Sequence, residues 1–225
     1  MSCGDCCGGV TTVFDERRAR RTLRDYRQKG PGAPTGALLA ALREHGASSG
    51  TLLDVGGGVG VIAHELLRDG MSSATVVDAS PAYLDAAREE SARQGTDDRL
   101  RLRLGDVVEL ADELPPADVV TLDKVVCCYA DMDSLLSISA ARARRIVGLV
   151  YPRDSWWVRV AIVLENQLFR LRGNPFRSFV HPNVDIEAAL RRAGFDAGPQ
   201  RRGAWWVVGV FERRAGAVEK RELVS

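Results

Sequence analysis

The richest chemistry in the chain lies at Leu52-Leu53-Asp54-Val55-Gly56-Gly57-Gly58-Val59-Gly60, where an apolar run meets a cluster of glycines. Glycines at such a place let a ligand approach the backbone closely and start a helix that points its N-terminus at it. Asp78 ends the next apolar run, 24 residues after Asp54, where a carboxylate can accept both hydroxyls of a ribose. Gly105-Asp106 closes a third run, and a carboxylate followed by a backbone amide there can read an adenine edge. Any one of these features is an ordinary turn or helix cap. The ordered series Asp54, Gly56, Gly58, Gly60, Asp78 and Asp106 points to a nucleotide-like ligand at the carboxyl ends of adjacent strands.

The elements that must position these residues alternate regularly. Short apolar strands are expected at 51–55, 74–78, 100–104, 118–122 and 146–151. Helices are expected between them at 59–68, 80–94 and 134–145, with Ser80 as a cap. This rhythm predicts an α/β fold, a Rossmann-like doubly wound parallel sheet with helices on both faces. Ahead of it the pattern predicts helices over 14–29, capped by Asp15 and ended by Gly30-Pro31-Gly32, and over 35–45. Behind it come a helix over 156–172, a loop over 174–182, a helix over 184–193 and two strands, 195–202 and 205–211. A turn of only Gly203-Ala204 makes these last two an antiparallel hairpin. The division expected is a tail and helix over 1–34, then one domain over 35–225 with a substrate cap at 153–182.

Composition narrows the function. With 225 residues, 45% hydrophobic and 27% charged, the chain can bury one sizeable core. No 18 apolar residues run together, so no membrane partner is expected, and the first twenty residues lack the apolar stretch of a secretory signal. A cytoplasmic protein is the expectation. Net charge is +1, but residues 51–141 carry 7 basic and 17 acidic groups. That acidic middle argues against a nucleic-acid-coating surface. Five cysteines (Cys3, Cys6, Cys7, Cys127 and Cys128) are an odd number, which speaks against a disulfide framework, and no metal site is expected.

Gly58-x-Gly60-x-x-Ala63 also satisfies the loose dinucleotide fingerprint, so an NAD-linked oxidoreductase stands as one alternative. Asp54 points away from it: a carboxylate ahead of the glycines would crowd a pyrophosphate but suits an ammonium. Here the chain resembles the class I S-adenosylmethionine-dependent methyltransferases, through LLDVGGGVG, VVDAS, LGD, ADVVTLDKVVCCYADM and GAWWVVGVF, over roughly residues 35–213. The resemblance implies a seven-stranded sheet whose last strand is antiparallel, and S-adenosyl-L-methionine as cofactor. By that likeness Asp54, Gly56, Gly58 and Gly60 hold the methionine part, Asp78 the ribose, Ala79 packs on adenine, and Asp106 with Val107 reads its edge. Asp123 and Lys124 line the sulfonium side. The doubled glycine at Gly56-Gly57 is a mild departure. The stretch YPRDSWW, with FVHP and AALRRAGF after it, is similar to the region following the fifth strand in magnesium-protoporphyrin O-methyltransferases.

The expected reaction is methyl transfer to O or N of a small metabolite. The alternatives are another use of the sulfonium, such as cyclisation, and a nucleotide-binding regulator. A hydroxyl or amine acceptor can need a base. The candidates are His181, in the loop over the sheet edge, and Tyr129, just after the fourth strand. His45 and His64 are expected to be structural and remote from that edge. Trp157 and Arg177 are the expected acceptor contacts, and Tyr26 with Arg27 is placed to fold over the cofactor's carboxylate. Oligomeric state is not legible in the sequence.

Overall fold

A computed structural model describes residues 9–10 and 12–215. Two helices, α1 (Glu16–Lys29) and α2 (Ala33–Glu44), precede β1 (Thr51–Val55), α3 (Val61–Asp69), β2 (Ser73–Asp78), α4 (Pro81–Gln94) and β3 (Leu100–Leu104). Then come β4 (Ala117–Asp123), α5 (Met132–Arg142), β5 (Ala143–Pro152), α6 (Trp156–Leu171), α7 (Asn183–Arg192), β6 (Phe195–Ala197), β7 (Arg201–Arg202) and β8 (Trp206–Arg213). The sheet runs β3-β2-β1-β4-β5-β8-β6, with β7 paired to β8 off that path. Strands β1 to β5 are parallel and β8 is antiparallel to β5, as expected.

Alternation along each strand builds a core on either face of the sheet. Leu53, Val120, Val147 and Phe211 pack with α5 and α7 on one face. Leu52, Val119, Ile146 and Val210 pack with α2 and α3 on the other. Strand order reverses between β1 and β4, which opens a crevice at their carboxyl ends. Register places Asp54 directly beside Thr121 across that point.

Several boundaries differ from the sequence reading, and the larger shifts have a physical cause. The helix expected over 134–145 stops at Arg142, because Ala143 pairs with Ala117 and begins β5 there. Sheet pairing overrides the helical propensity of the Ala-Arg run. The strand expected over 195–202 breaks into β6 and β7 around Pro199, which has no N–H to give a ladder. Arg202 pairs with Val207, and the Gly203 amide donates to Trp206 O at 2.8 Å, so the turn centres on Ala204-Trp205, one residue later than expected.

Helix α1 lies across the carboxyl edge, its Ala19, Leu23 and Tyr26 packed on Val59, Tyr83 and Ala86. Asp15 caps it through the Arg18 amide at 2.8 Å. Arg27 holds it to α4 through Glu90 at 2.7 Å and Glu89 at 2.8 Å. Burial raises the Glu90 carboxyl, but hydrogen bonds from Arg93, Gln94 and Arg27 outweigh it and hold the pKa at about 2. A depressed carboxyl stabilises the fold above its unfolded value and loses that contribution as pH falls through the folded one. With solvent screening at the exposed arginines, this clasp contributes about 1–2 kcal/mol. Between pH 4.5 and pH 2, α1 should therefore loosen first. Limited acid proteolysis should cut around residues 9–32 earlier in wild type than at neutral pH, and Glu90→Gln should be cut early even at pH 7.

Candidate active site

The glycine loop is held open by backbone that other residues rarely adopt. Gly56, Gly58 and Gly60 have φ of 60°, 59° and 77°, in the left-handed region. Gly57 has a different reason to lack a side chain: a Cβ there would lie 2.4 Å from Asp54 Oδ2. Only a glycine therefore fits against this buried carboxylate. The Gly58 amide donates to Asp78 Oδ2 at 2.9 Å, and the Ser80 amide to Asp78 Oδ1 at 2.8 Å. His64 is not remote from this edge. Its Nε2 lies 3.2 Å from Val59 O, to which it donates, so the ring props the loop from below. Burial lowers its pKa and keeps it neutral.

Four carboxylates from the ends of β1 to β4 line one cleft of about 700 Å³: Asp54, Asp78, Asp106 and Asp123. Asp54 is fully buried, and its Oδ1 accepts from Thr121 Oγ1 at 2.6 Å. Its Oδ2 has no hydrogen-bond partner among the described residues. Burial pushes its pKa up to about 7; the Thr121 bond opposes this, and the charges of Asp123 and Asp78 add to it. Burial also raises Asp78, against the pull of its two amides. Asp123 Oδ2 accepts from Thr35 Oγ1 at 2.6 Å and from Lys124 Nζ at 3.1 Å. Asp123 Oδ1 is a second buried oxygen with no partner among the described residues. Lys124 takes the left-handed backbone with φ 63°, strained for a side chain of its kind, and bonds Thr35 at 2.9 Å. Two buried carboxylate oxygens without a hydrogen-bond partner among the described residues are costly, and a cationic ligand relieves that cost.

The remaining wall comes from several elements. Ala79 and Val107 line the cleft beside Asp78 and Asp106. Tyr129 lines it too, its hydroxyl donating to Asp106 at 2.9 Å and so holding that carboxylate. Tyr26 faces the cleft with its hydroxyl on Glu65 at 2.9 Å. Arg27 turns away to Glu90 and Glu89, and does not fold over the cleft as expected. Sequence reasoning missed Thr35, Thr121, Phe14, Arg18, Tyr83 and Cys128. Of these, Thr121 alone had a signal, as a polar residue inside the apolar run 119–122.

Gly60, expected at the cofactor, starts α3 and does not line this cleft, and three residues expected on the acceptor side are not brought to it either. His181 Nε2 donates to Tyr129 O at 2.9 Å, and its ring stacks on Phe179, so it braces the Tyr129 backbone from outside. Trp157 packs edge-on to Trp205, with ring centres 5.4 Å apart. The Arg177 guanidinium donates to Asn174 O at 2.7 Å and to Phe176 O, which folds its own loop. Residues 153–182 supply none of the cleft wall; the N-terminal helices do. Trp205 and Trp206 are half-buried, and Trp206 packs against the core on the α2 and α3 face. Cys3, Cys6 and Cys7 lie outside the described residues. Among the described residues no group of three or more His, Cys, Asp or Glu side chains could hold a metal.

Residues 52–145, from the first strand into the fifth, match the family described as methyltransferase domain. The likeness is to a methyltransferase domain, over less than half of the chain. Such a domain belongs to an enzyme and takes S-adenosylmethionine, which sets aside the dinucleotide reading of Gly58-x-Gly60-x-x-Ala63. No curated protein matches the sequence. The fold is similar to magnesium protoporphyrin IX methyltransferase from Synechocystis PCC 6803, solved with SAH bound (18% identity, TM-score 0.64, covering 80% of this chain and 81% of that one). It is also similar to an O-methyltransferase family protein from Burkholderia thailandensis (19% identity, TM-score 0.69, 92% of this chain and 63% of that one). The cyclase SpnF is a third likeness (14% identity, TM-score 0.61, 81% and 82%).

The buried charge of Asp54 yields a test. A carboxyl whose folded pKa of about 7 lies above its unfolded value of 3.8 opposes folding increasingly as pH rises through that window. Asp54→Asn should raise the melting temperature of the ligand-free protein, and by more at pH 8 than at pH 5. The same change should weaken S-adenosylhomocysteine by about tenfold or more, the scale of a lost charge-assisted bond of about 1.5–3 kcal/mol. Thermal scans and calorimetry on the one variant check both halves.

Proposed function

We propose that the protein methylates O or N of a small metabolite, with the acceptor bound beneath α1 and α2 at the mouth of the cleft. The two bare carboxylate oxygens, Asp54 Oδ2 and Asp123 Oδ1, carry this reading, because a ligand with an ammonium and a sulfonium matches their charge and an anionic dinucleotide does not. In the proposal Asp54 takes the ammonium, and Gly56 and Gly58 give the methionine part close access to the backbone. Asp78 takes the ribose hydroxyls with the lone pairs its two amides leave over. Ala79 packs on the adenine, and Asp106, steadied by Tyr129, reads its edge together with Val107. Asp123 and Lys124 lie at the sulfonium side, fixed by Thr35.

S-adenosylmethionine supplies an electrophilic methyl group on sulfur. The protein's own part is to align an acceptor with it and exclude water, and positioning of this kind contributes several kcal/mol to such a displacement, on the order of 7–11 in favourable cases. Phe14, Val10 and Val125 provide apolar wall for the body of an acceptor. Since His181 Nε2 is committed to Tyr129 O and the Tyr129 hydroxyl to Asp106, we assign both as positioning residues rather than as bases.

Calorimetry with S-adenosylhomocysteine and with NADH tests the cofactor half, the first binding and the second not. Asp78→Ala should cost about 1.5–3 kcal/mol of that affinity, as a charged acceptor is lost and the glycine loop loosens. Incubation with methyl-labelled cofactor and a metabolite extract tests the other half. Labelled small molecules support methyl transfer. Cofactor binding with a changed product and no transferred label would replace it with the non-methylating chemistry of a cyclase.

A further inference from the structure

Helix α6 is apolar on two opposite faces, and only one of them meets the protein. Val158 and Ile162 are buried against the body, and Phe169 meets Phe176 at 5.6 Å. Facing away are Trp156, Val160, Val163, Leu164, Leu168 and Leu171, with Trp156 77%, Leu164 65% and Leu171 83% exposed. At 100° per residue these six fall on one arc about 140° wide, opposite Val158 and Ile162. They share that arc with the polar Gln167 and with Trp157, whose ring packs on Trp205. A stripe this wide over the length of the helix is what a core-facing helix presents, and here it meets solvent.

The charge around it is also one-sided. Residues 153–172 carry Arg153, Arg159, Arg170 and Arg172 against Asp154 and Glu165. The four arginines are exposed, and none makes an ion pair among the described residues. Elsewhere on the surface arginines are commonly paired, as Arg43 is with Asp69 and Arg201 with Glu44. Arg159 and Arg170 fall on one edge of the apolar arc, three turns apart.

We infer that this face of α6 docks on an anionic lipid surface, with the apolar arc lying in the interface and the arginines on phosphate headgroups. An exposed tryptophan at one end, branched aliphatic residues along the middle and guanidiniums at the edge are the composition of a helix lying in a bilayer interface. A second copy of the chain fits less well, since an isologous pairing would set two patches of the same positive charge together. Residues 1–8 and 216–225 do not match the arc either: Met1, Val218, Leu223 and Val224 are their only larger apolar side chains. Contact with a lipid surface is separate from crossing it, and among the described residues no helix is long and apolar enough to cross. The docked helix would lie near the cleft mouth, because Phe169 meets Phe176, Phe176 meets Phe14 at 5.7 Å, and Phe14 lines the cleft.

Vesicle flotation of the full chain tests this, with phosphatidylcholine alone against phosphatidylcholine mixed with phosphatidylglycerol. Wild type should float with the anionic vesicles, bind the neutral ones about tenfold more weakly, and shift its tryptophan emission to the blue on binding. Leu164→Glu with Leu171→Glu should abolish flotation, and Arg159→Glu with Arg170→Glu should remove the preference for anionic lipid. All four side chains are exposed, so both variants should keep the wild-type melting temperature and S-adenosylhomocysteine affinity. That affinity also separates this proposal from the cofactor reading, which can fail independently. Absence of flotation, or flotation unchanged in the leucine variant, overturns the inference. So does a wild-type dimer in sedimentation velocity that the leucine variant dissolves, which would make the face an interface between copies.

Discussion

A carboxylate buried where the sheet reverses direction is the interaction on which the rest of the site depends. Asp54 ends up between β2 and β4 because β1 pairs with both, and the register with β4 puts Thr121 at its side. Thr121 satisfies one oxygen, while the other is buried against Gly57, where no side chain fits. A fold does not gain stability from such an arrangement, since burial, with the nearby charges of Asp123 and Asp78, carries the Asp54 pKa up to about 7. The cost makes sense if a positively charged ligand completes the site, so stability and function oppose each other at this residue.

Around Asp54 the site is a set of mutual constraints rather than a row of independent contacts. Asp78 holds the glycine loop by the Gly58 amide and the head of α4 by the Ser80 amide. The Ser80 hydroxyl in turn donates to Phe14 O at 2.7 Å, just ahead of α1. The loop, the second strand and the N-terminal helix are therefore linked through three residues. Tyr26 continues the linkage, stacked on the His64 ring that props Val59. Movement of α1 would be felt at the glycines, which makes this helix the natural lid.

The segment after the fifth strand has a different job from the one its sequence implied. Asn183 bonds Asp154 and Pro152 O, and Asn166 bonds both Ser178 N and O, so the segment is tied down at both ends of α6. That binding fixes α6 against the body by one face and leaves its other apolar face outward. The aromatic and arginine content that reads as an acceptor pocket in one dimension becomes, in three, a surface.

The strand–helix alternation, the glycine loop and the acidic strand ends were legible in the sequence, because each is a local pattern: periodicity, a φ requirement or a spacing along one chain. Asp54, Gly56, Gly58, Asp78, Ala79, Asp106, Val107, Asp123 and Lys124 all reach the same cleft for that reason, while Gly60 starts α3 and does not line it. Tertiary packing decided what no local pattern encodes. Thr35 meets Asp123 and Lys124 from 88 and 89 residues away, and His181 meets the Tyr129 backbone from 52. Trp157 and Arg177 carry side chains suited to a pocket, but whether a helix turns such residues toward a cleft or toward solvent depends on which of its two apolar faces finds the body first. Sequence determines that both faces exist; only the packed structure decides which one is left over.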